Sequence, residues 1–260
     1  METQRGIGVA GALDHSIVRS LATEAERLGY ATFWANDTPQ GDGLASLAAA
    51  ASTTGTIRLG VGVIAVDRIP ADVIVSRVAE LGLPVDRLLV GIGAGRTRVG
   101  SLDLIERSAA VLRAAGIASA VGALGPRMVN LAGRVADAAL FNWLTPNAAT
   151  ESSAALALAA GDRAVEPITP STGRLRPGFA GNRWLKKPGD ASHSAYTDHF
   201  KRMGVRAVET CVIGESPEAI QTGLAAFDGS VHEIVVRAIT GSETLDAYLS
   251  LARASAPAVK

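Results

Sequence analysis

Short, continuous apolar runs alternate with amphipathic segments of helical spacing along almost the whole chain. Runs such as Arg5–Ala12 and Ile57–Val66 lack the apolar–polar alternation of half-exposed strands, so they indicate strands that are buried on both faces of a parallel sheet. The intervening segments carry helix signals, such as Ser101 and Gly116 at the two ends of one segment. Alternating strands and helices predict right-handed βαβ units and hence an α/β fold.

The number of these units separates the two possible α/β architectures. Six strands are predicted before residue 145, and two more follow, one in Arg163–Ile168 or the glycine-rich segment after it and one in Val231–Thr240. Eight units in 260 residues predict a (β/α)8 TIM barrel, whereas a doubly wound open sheet would need about six of these strands. The first six predicted strands are Arg5–Ala12, Ala31–Asp37, Ile57–Val66, Arg87–Gly95, Ile117–Ala123 and Ala138–Leu144.

The alternation of strands and helices shows no domain boundary, and residues 1–260 are expected to form a single domain. The barrel is a lean version, because the loops after strands two and four, residues 38–43 and 97–101, are short. One irregular basic loop, residues 167–194, interrupts the alternation. This loop is either a solvated excursion or a lid that meets an anionic ligand.

Composition excludes several classes of partner. Acidic and basic residues number 25 each, so no global charge attracts nucleic acid or a membrane surface. No segment is long and apolar enough for a transmembrane helix, and the amino terminus does not resemble a signal peptide. The lone Cys211 is interpreted as a packed thiol in a buried strand, and a cytoplasmic protein with a small-molecule substrate is expected.

In a parallel barrel the ligand lies at the carboxyl ends of the strands, so chemistry is sought there. Strand four ends in the glycine turn Gly93–Arg96, which is only part of a dinucleotide-binding motif because Arg96 stands where a third glycine would. Its glycines still permit close approach of a ligand to the backbone. The strands also contain Trp34 and Trp143, which could stack on a flat ring or simply pack in the core.

Leu124–Arg127 connects strand five to the fifth predicted helix, which starts at Pro126, and is called the α5 joint after that helix. Gly125 in the cap region adds no side chain, Pro126 suits a first helical turn, and Arg127 can add a charged contact. Because unpaired amides and a partial positive charge lie at a helix start, this joint is either a site for a phosphate or ordinary helix punctuation.

The sequence contains no motif typical of a metal site or of a catalytic nucleophile. The four histidines show no metal-binding spacing, and no nucleophile motif is present, so no metal is predicted. His199 is interpreted as a surface or partly packed helix residue.

The segments LGVGVIAVDRIPADVI, DRLLVGIGAGR and GALGPRMVNLAGRVADAALFNWLTP resemble the luciferase-like monooxygenase superfamily, most of all its branch that uses the deazaflavin coenzyme F420. The carboxyl-terminal DHFKRMGV and the SPEAIQTGLAAF and VHEIVVRAIT segments resemble the same branch. The resemblance covers nearly the whole chain outside residues 167–194. It implies a barrel with a flavin or deazaflavin at the carboxyl ends of the strands, and homodimers are expected by the same analogy.

The resemblance also implies roles for particular residues. A bulge at the end of strand three, often with a non-proline cis peptide, would support the ring, and the α5 joint would bind the phosphate. Asp37 matches the acid of an Asp-His pair near the reactive ring carbon, but Thr38 replaces the histidine, and Ala65 stands where a proline is frequent. The cofactor-binding residues implied are Val63, Ile64, Ala65, Gly93, Ala94, Gly95, Arg96, Leu124, Gly125, Pro126 and Arg127, and the implied catalytic residue is Asp37.

Three functions are therefore open. The resemblance favours an F420-dependent oxidoreductase that transfers a hydride between deazaflavin and a small organic substrate. The alternatives are an FMN-dependent luciferase-like monooxygenase and a degenerate barrel that binds a ligand or partner without catalysis, which the missing histidine and short loops favour.

Overall fold

Eight parallel strands close into a barrel in the computed structural model, which describes residues 3–175, 194–240 and 242–258. Strands β1 to β7 follow one another around the barrel, and closure comes from β7 pairing with β9 and β9 pairing with β1. The predicted barrel is confirmed, and the open-sheet alternative is wrong. The strands are β1 (Gln4–Ala10), β2 (Thr32–Asn36), β3 (Arg58–Ala65), β4 (Leu88–Gly93), β5 (Ala118–Gly122), β6 (Ala138–Leu140), β7 (Glu166–Leu175), β8 (Val212–Gly214) and β9 (Glu233–Ala238).

Helices connect the strands on the outside of the barrel. Several begin with the signals that the sequence carries: the side chains of Asp14, Thr145 and Ser216 accept hydrogen bonds from first-turn amides, and Pro126 starts its helix. None of the helices in the described ranges has the length and apolarity to cross a membrane. The helices are α1 (His15–Arg27), α2 (Gly43–Ala51), α3 (Ala71–Glu80), α4 (Ser101–Ala114), α5 (Pro126–Val135), α6 (Pro146–Ala160), α7 (Ser194–Met203), α8 (Pro217–Ala225) and α9 (Leu245–Ala254), with 3-10 turns at Val85–Arg87 and Ala207–Thr210.

The start of the predicted basic loop is instead part of the barrel. Residues 167–175 continue β7, which pairs with β6 at its start and with β9 along its length, and residue 194 begins α7. Residues 176–193 of the predicted loop lie outside the described residues. The short β8 pairs with the end of β7 and is not one of the barrel strands. Cys211 precedes β8 and is half-buried, so its placement inside a buried strand is wrong.

Strand six is also shorter than the apolar run that predicted it. β6 ends at Leu140, and the amide of Phe141 donates to the carbonyl of Ile168 in β7 at 2.8 Å. Trp143 then adopts a left-handed backbone with φ of 57°. The apolar residues after Leu140 therefore pack beyond the strand and do not extend it.

The inside of the barrel is filled around one indole. Trp34 of β2 is 3% exposed and lies with Leu89, Leu140 and Ile168 in a cluster separate from the larger core between barrel and helices. A Cβ on Gly60 would lie 2.5 Å from the ring carbons of Trp34. The glycines that the strands carry on their inner faces therefore give the indole its space.

Below Trp34, a charged network closes the amino-terminal end of the barrel. Glu233 is fully buried and accepts from Trp34 Nε1 at 2.7 Å, Thr32 Oγ1 at 2.8 Å and the Arg58 guanidinium at 2.9 Å. Arg58 also pairs with Glu166 at 2.7 Å. Burial lowers the pKa of Arg58, but the carboxylates of Glu233 and Glu166 outweigh this effect and raise it. Trp34 and this network of paired groups thus fill the lower half of the barrel interior.

Candidate functional site

The mouth of the barrel, where the strands reach their carboxyl ends, carries a ring of partly exposed residues. Asn36, Val63, Gly122 and Arg237 are each half-buried at the ends of β2, β3, β5 and β9. By strand alternation Asn36 shares the inner face with Trp34, and Arg237 shares it with Glu233 and Val235. These residues form the candidate site, because Trp34 fills the barrel beneath them.

A bulge at the end of β3 directs Val63 into this mouth. The register of β3 against β4 shifts between Val61 and Ile64, and the Gly62–Val63 peptide bond is cis. A Cβ on Gly93 would lie 2.8 Å from a Val63 methyl group, and one on Gly122 would lie 3.2 Å from the other. The bulge implied by the resemblance is confirmed, and Val63 lies over the ends of β4 and β5.

The neighbours of Val63 are placed differently from it. Ile64 is fully buried in the core between the barrel and the helices. Ala65 is half-buried and pairs with Gly93 at the end of β4. Of the three residues predicted to support a ring, Val63 is the one whose side chain reaches the mouth, so Ile64 and Ala65 could contribute only backbone there.

The glycine turn after β4 is held by the loop after β3. The amide of Arg96 donates to Asp67 Oδ2 at 2.7 Å, and Gly95 has a φ of 61°. A Cβ on Gly95 would collide with the Asp67 carboxylate. Gly95 thus serves this turn, whereas Gly93 makes room for Val63 and Ala94 packs half-buried against the outer core. The side chain of Arg96 is exposed.

The α5 joint has the geometry of an open helix start. Gly125 is the N-cap with extended backbone, no side chain caps the helix, and Pro126 occupies the first turn. Arg127 is exposed and has no ion-pair partner among the residues that the structure describes. The joint is therefore a helix start without a side-chain cap beside an exposed cation, and whether it binds phosphate stays a prediction.

Helix α7 brings two residues to this joint that the sequence did not indicate as site residues. Arg202 donates to the Leu124 carbonyl at 2.5 Å, and its guanidinium lies 3.6–3.8 Å from where a Cβ on Gly125 would be. His199 is 3% exposed, not a surface residue, and its Nδ1 lies 2.8 Å from the same carbonyl. A second cation thus reaches the joint from a distant part of the chain.

Trp143 forms the edge of the mouth next to β6. Its half-buried ring packs edge-on against Phe200 of α7, with centroids 5.8 Å apart. Its carbonyl lies 3.2 Å from His199 Nε2. Trp34 packs in the core, one of the two roles predicted for the tryptophans. Trp143 lies where an aromatic side chain could contact a ligand.

Asp37, the predicted catalytic acid, has a buried carboxylate whose oxygens are both engaged. One accepts from the guanidinium of Arg68, and the other accepts from the amide of Gly43 at 3.1 Å, which begins α2. Both oxygens of Asp37 therefore already have protein partners in this geometry. This geometry favours a role in which Asp37 fixes the end of β2, and its catalytic role remains untested.

A metal site and a ligand site at the amino-terminal end of the barrel are both less well supported than the mouth. No group of three or more side chains that could hold a metal ion occurs within the described ranges. A cavity of about 410 Å³ opens at the amino-terminal end of the barrel, between Arg58, Arg87, Asp137 and Glu166. Its arginines already bind protein groups, since Arg87 donates to the carbonyls of Ile57 and Thr54 and Arg58 pairs with Glu166. The carboxyl-terminal mouth therefore remains the candidate site.

One family model matches the first part of the chain. Residues 3–101 match the family model described as luciferase-like monooxygenase, which covers β1 to β4 and the loop after β4. A search of the curated proteins finds no match.

Solved structures resemble nearly the whole chain. An F420-dependent tetrahydromethanopterin reductase from Methanopyrus kandleri is 17% identical, with 97% of this chain and 98% of that chain covered and a TM-score of 0.72. An F420-dependent secondary alcohol dehydrogenase in complex with an F420-acetone adduct is 14% identical, with 98% and 99% covered and a TM-score of 0.75. The oxygenating constituent of a diketocamphane monooxygenase from Pseudomonas putida, in complex with FMN, is 13% identical, with 98% and 97% covered and a TM-score of 0.70.

At these identities the solved structures establish the fold and leave the cofactor open. The resemblance of this chain to the luciferase-like monooxygenase superfamily is thereby confirmed, by sequence over residues 3–101 and by fold over nearly its whole length.

Proposed function

We propose that this protein is an oxidoreductase that binds coenzyme F420 at the mouth of its barrel and transfers a hydride between the deazaflavin and a small organic substrate. Two of the similar solved structures are F420-dependent enzymes, and the segments quoted from the sequence resemble that branch of the superfamily. The proposal extends the superfamily assignment to one cofactor and one class of reaction.

The proposal rests on one spatial arrangement: the bulge of β3 and the α5 joint lie next to each other. Val63 lies against Gly122, and Gly122 ends β5 shortly before Gly125 begins the joint. A ligand with a flat ring and a phosphate could therefore place the ring against Val63 and the phosphate at the joint. The sequence gives no direct sign of this adjacency, because residues 63 and 125 belong to different strand–helix units.

The residues at the joint fit an anionic group. Gly125 leaves open the space that a side chain would fill, next to the Arg202 guanidinium. Arg127 adds a second exposed cation in the first turn of α5. A phosphate there would gain backbone N–H donors, the partial charge of the helix start and charge-assisted hydrogen bonds from arginine.

The residues of the chain then orient the reactants and exclude water. A bound deazaflavin supplies the hydride chemistry, and the protein supplies the position of the ring and a dry surrounding. Val63 would support one face of the ring, Trp34 with its apolar neighbours closes the barrel below it, and Trp143 borders the substrate side. Asp37 acts through position, because it fixes the ends of β2 and the β3 loop by its contacts with Gly43 and Arg68.

FMN is the second candidate cofactor, since one of the similar solved structures contains it. Reduced FMN can activate oxygen, whereas deazaflavin does not readily do so. The FMN alternative is therefore a monooxygenase. Purified protein that is yellow with flavin and consumes oxygen would support the FMN alternative. Protein that binds neither cofactor would support the non-catalytic alternative, which is also consistent with the engaged carboxylate of Asp37.

The experiment is a fluorescence titration of the protein with F420, comparing Arg127→Ala with Arg134→Ala. Arg134 is an exposed arginine at the other end of α5, so its loss removes the same charge far from the joint. We expect Arg127→Ala to weaken F420 binding about 10- to 100-fold, the range of a lost charged hydrogen bond, and Arg134→Ala to leave it unchanged. Equal affinities for the two variants would remove Arg127 from the site.

A further inference from the structure

Helix α7 contacts both sides of the candidate cleft through a single buried side chain. His199 places Nδ1 2.8 Å from the carbonyl of Leu124, which precedes α5, and Nε2 3.2 Å from the carbonyl of Trp143, which follows β6. The histidine is 3% exposed. Its ring therefore connects the α5 joint with the turn that leads from β6 to α6.

Arg202 contacts the same Leu124 carbonyl and the ring of His199. Its guanidinium donates to the Leu124 carbonyl at 2.5 Å and lies 3.2 Å from His199 Nδ1. Both ring nitrogens of His199 face carbonyl oxygens, which only accept hydrogen bonds, so the nitrogen that carries the hydrogen is the one that donates. His199 and Arg202 thus meet at the Leu124 carbonyl, and His199 also reaches the Trp143 carbonyl.

The Trp143 backbone is a conformation that needs support from its surroundings. Its φ of 57° lies in the left-handed region, which residues other than glycine, asparagine and aspartate seldom adopt. Two contacts from α7 hold this residue: the His199 ring at its carbonyl and the Phe200 ring at its indole. The position of Trp143 at the mouth thus depends on α7.

We propose that His199 is a positioning residue that holds the α5 joint and the Trp143 turn at a fixed separation, and thereby shapes the cleft between the phosphate position and the substrate side. This inference rests on the proposed function where it concerns cofactor affinity. The holding of the two segments is a separate claim, and it can be measured without any cofactor.

The test compares His199→Leu and His199→Gln with the control His232→Leu. Leucine fills the space without a hydrogen-bonding group, whereas the glutamine amide can still donate to one of the two carbonyls. His232 is a partly buried histidine near Glu166 at the opposite end of the barrel, so its loss does not touch the mouth. Hydrogen exchange is followed in peptides that cover residues 123–129 and 141–148, and F420 affinity is measured by fluorescence titration.

We expect His199→Leu to speed exchange in both peptides and to weaken F420 binding about tenfold, which corresponds to the loss of one hydrogen bond. His199→Gln should recover most of the affinity, and His232→Leu should change neither quantity at the mouth. Unchanged exchange in His199→Leu, or faster exchange with unchanged F420 affinity, would overturn the inference. If the wild-type protein binds neither F420 nor FMN, the proposed function fails, and exchange alone then supports or overturns the holding role.

Discussion

Gly60 shows how closely the interior of the barrel is fitted to one side chain. A Cβ at this position would lie 2.5–2.7 Å from three ring carbons of Trp34, which is much shorter than any van der Waals contact. The indole cannot move away easily, because its Nε1 is bonded to the fully buried Glu233. The glycine at this position is therefore needed for packing and not for a turn.

Replacing Gly60 with alanine tests this packing. We expect Gly60→Ala to lower the free energy of unfolding by about 1–3 kcal/mol, the usual cost of overpacking a core. Gly55→Ala is the matched control, since a Cβ there meets nothing within 4 Å. Urea denaturation of the two variants measures the difference, and equal stabilities would show that the indole has room to move.

Glu233 permits a second test at the same end of the barrel. Its carboxylate is 0% exposed and faces Arg58, Thr32 and Trp34, so its charge is needed to compensate the partly buried Arg58. We expect Glu233→Gln to destabilise the protein by about 2–4 kcal/mol, because it leaves that guanidinium without its most buried partner. Glu215→Gln, at an exposed residue, serves as the control in the same denaturation experiment. A small, equal effect of both substitutions would argue against the network.

At the scale of elements, Glu26 joins α1 to the turn between α2 and β3. Its carboxylate accepts from the amides of Gly55, Thr56 and Ile57 and from the hydroxyl of Thr56. Burial raises the pKa of Glu26, but these hydrogen bonds outweigh it and lower the pKa to about 2. The carboxylate therefore binds its proton less readily in the folded protein than in the unfolded chain.

The lowered pKa predicts how stability depends on pH. The contribution of Glu26 is fully present above the ordinary pKa of 4.5 and is lost as the pH falls toward 2. We expect Glu26→Gln to be less stable by about 1–2 kcal/mol at pH 7, after allowance for solvent screening, with the difference from wild type shrinking below pH 4. Thermal unfolding between pH 3 and pH 7 measures this difference. A gap that stays constant over this range would contradict the assignment.

Elements with a continuous apolar pattern could be predicted from the sequence, but their ends could not always be. β6 stops at Leu140 although the apolar residues continue, because the left-handed Trp143 and the packing of α7 redirect the chain there. β7 runs into a segment rich in proline and glycine, because pairing with β6 and β9 supplies hydrogen bonds that local propensity does not reveal.

The candidate site was predictable where its signal is local. The α5 joint follows from Gly125, Pro126 and Arg127, which are adjacent in the sequence. His199 and Arg202 contact Leu124 from 75 and 78 residues away, and no local pattern reports such a contact. The ion pair of Asp37 with Arg68 also joins residues distant in the sequence, so no local pattern predicts it.

At the scale of the whole molecule, the two ends of the barrel differ in chemistry. The amino-terminal end is closed by a network of paired charges around Glu233, with Trp34 above it. The carboxyl-terminal end carries the β3 bulge, the open start of α5 and arginines that include Arg127 and Arg202. This asymmetry is the basis of the claim that one mouth of the barrel holds an anionic redox cofactor.

A crystal structure of the protein with F420 tests that claim most directly. We predict that the phosphate lies within hydrogen-bonding distance of the backbone N–H groups of Gly125 and Arg127, with the deazaflavin ring against Val63. F420 bound at any other place, or a mouth that stays empty at saturating F420 and FMN, would contradict the account.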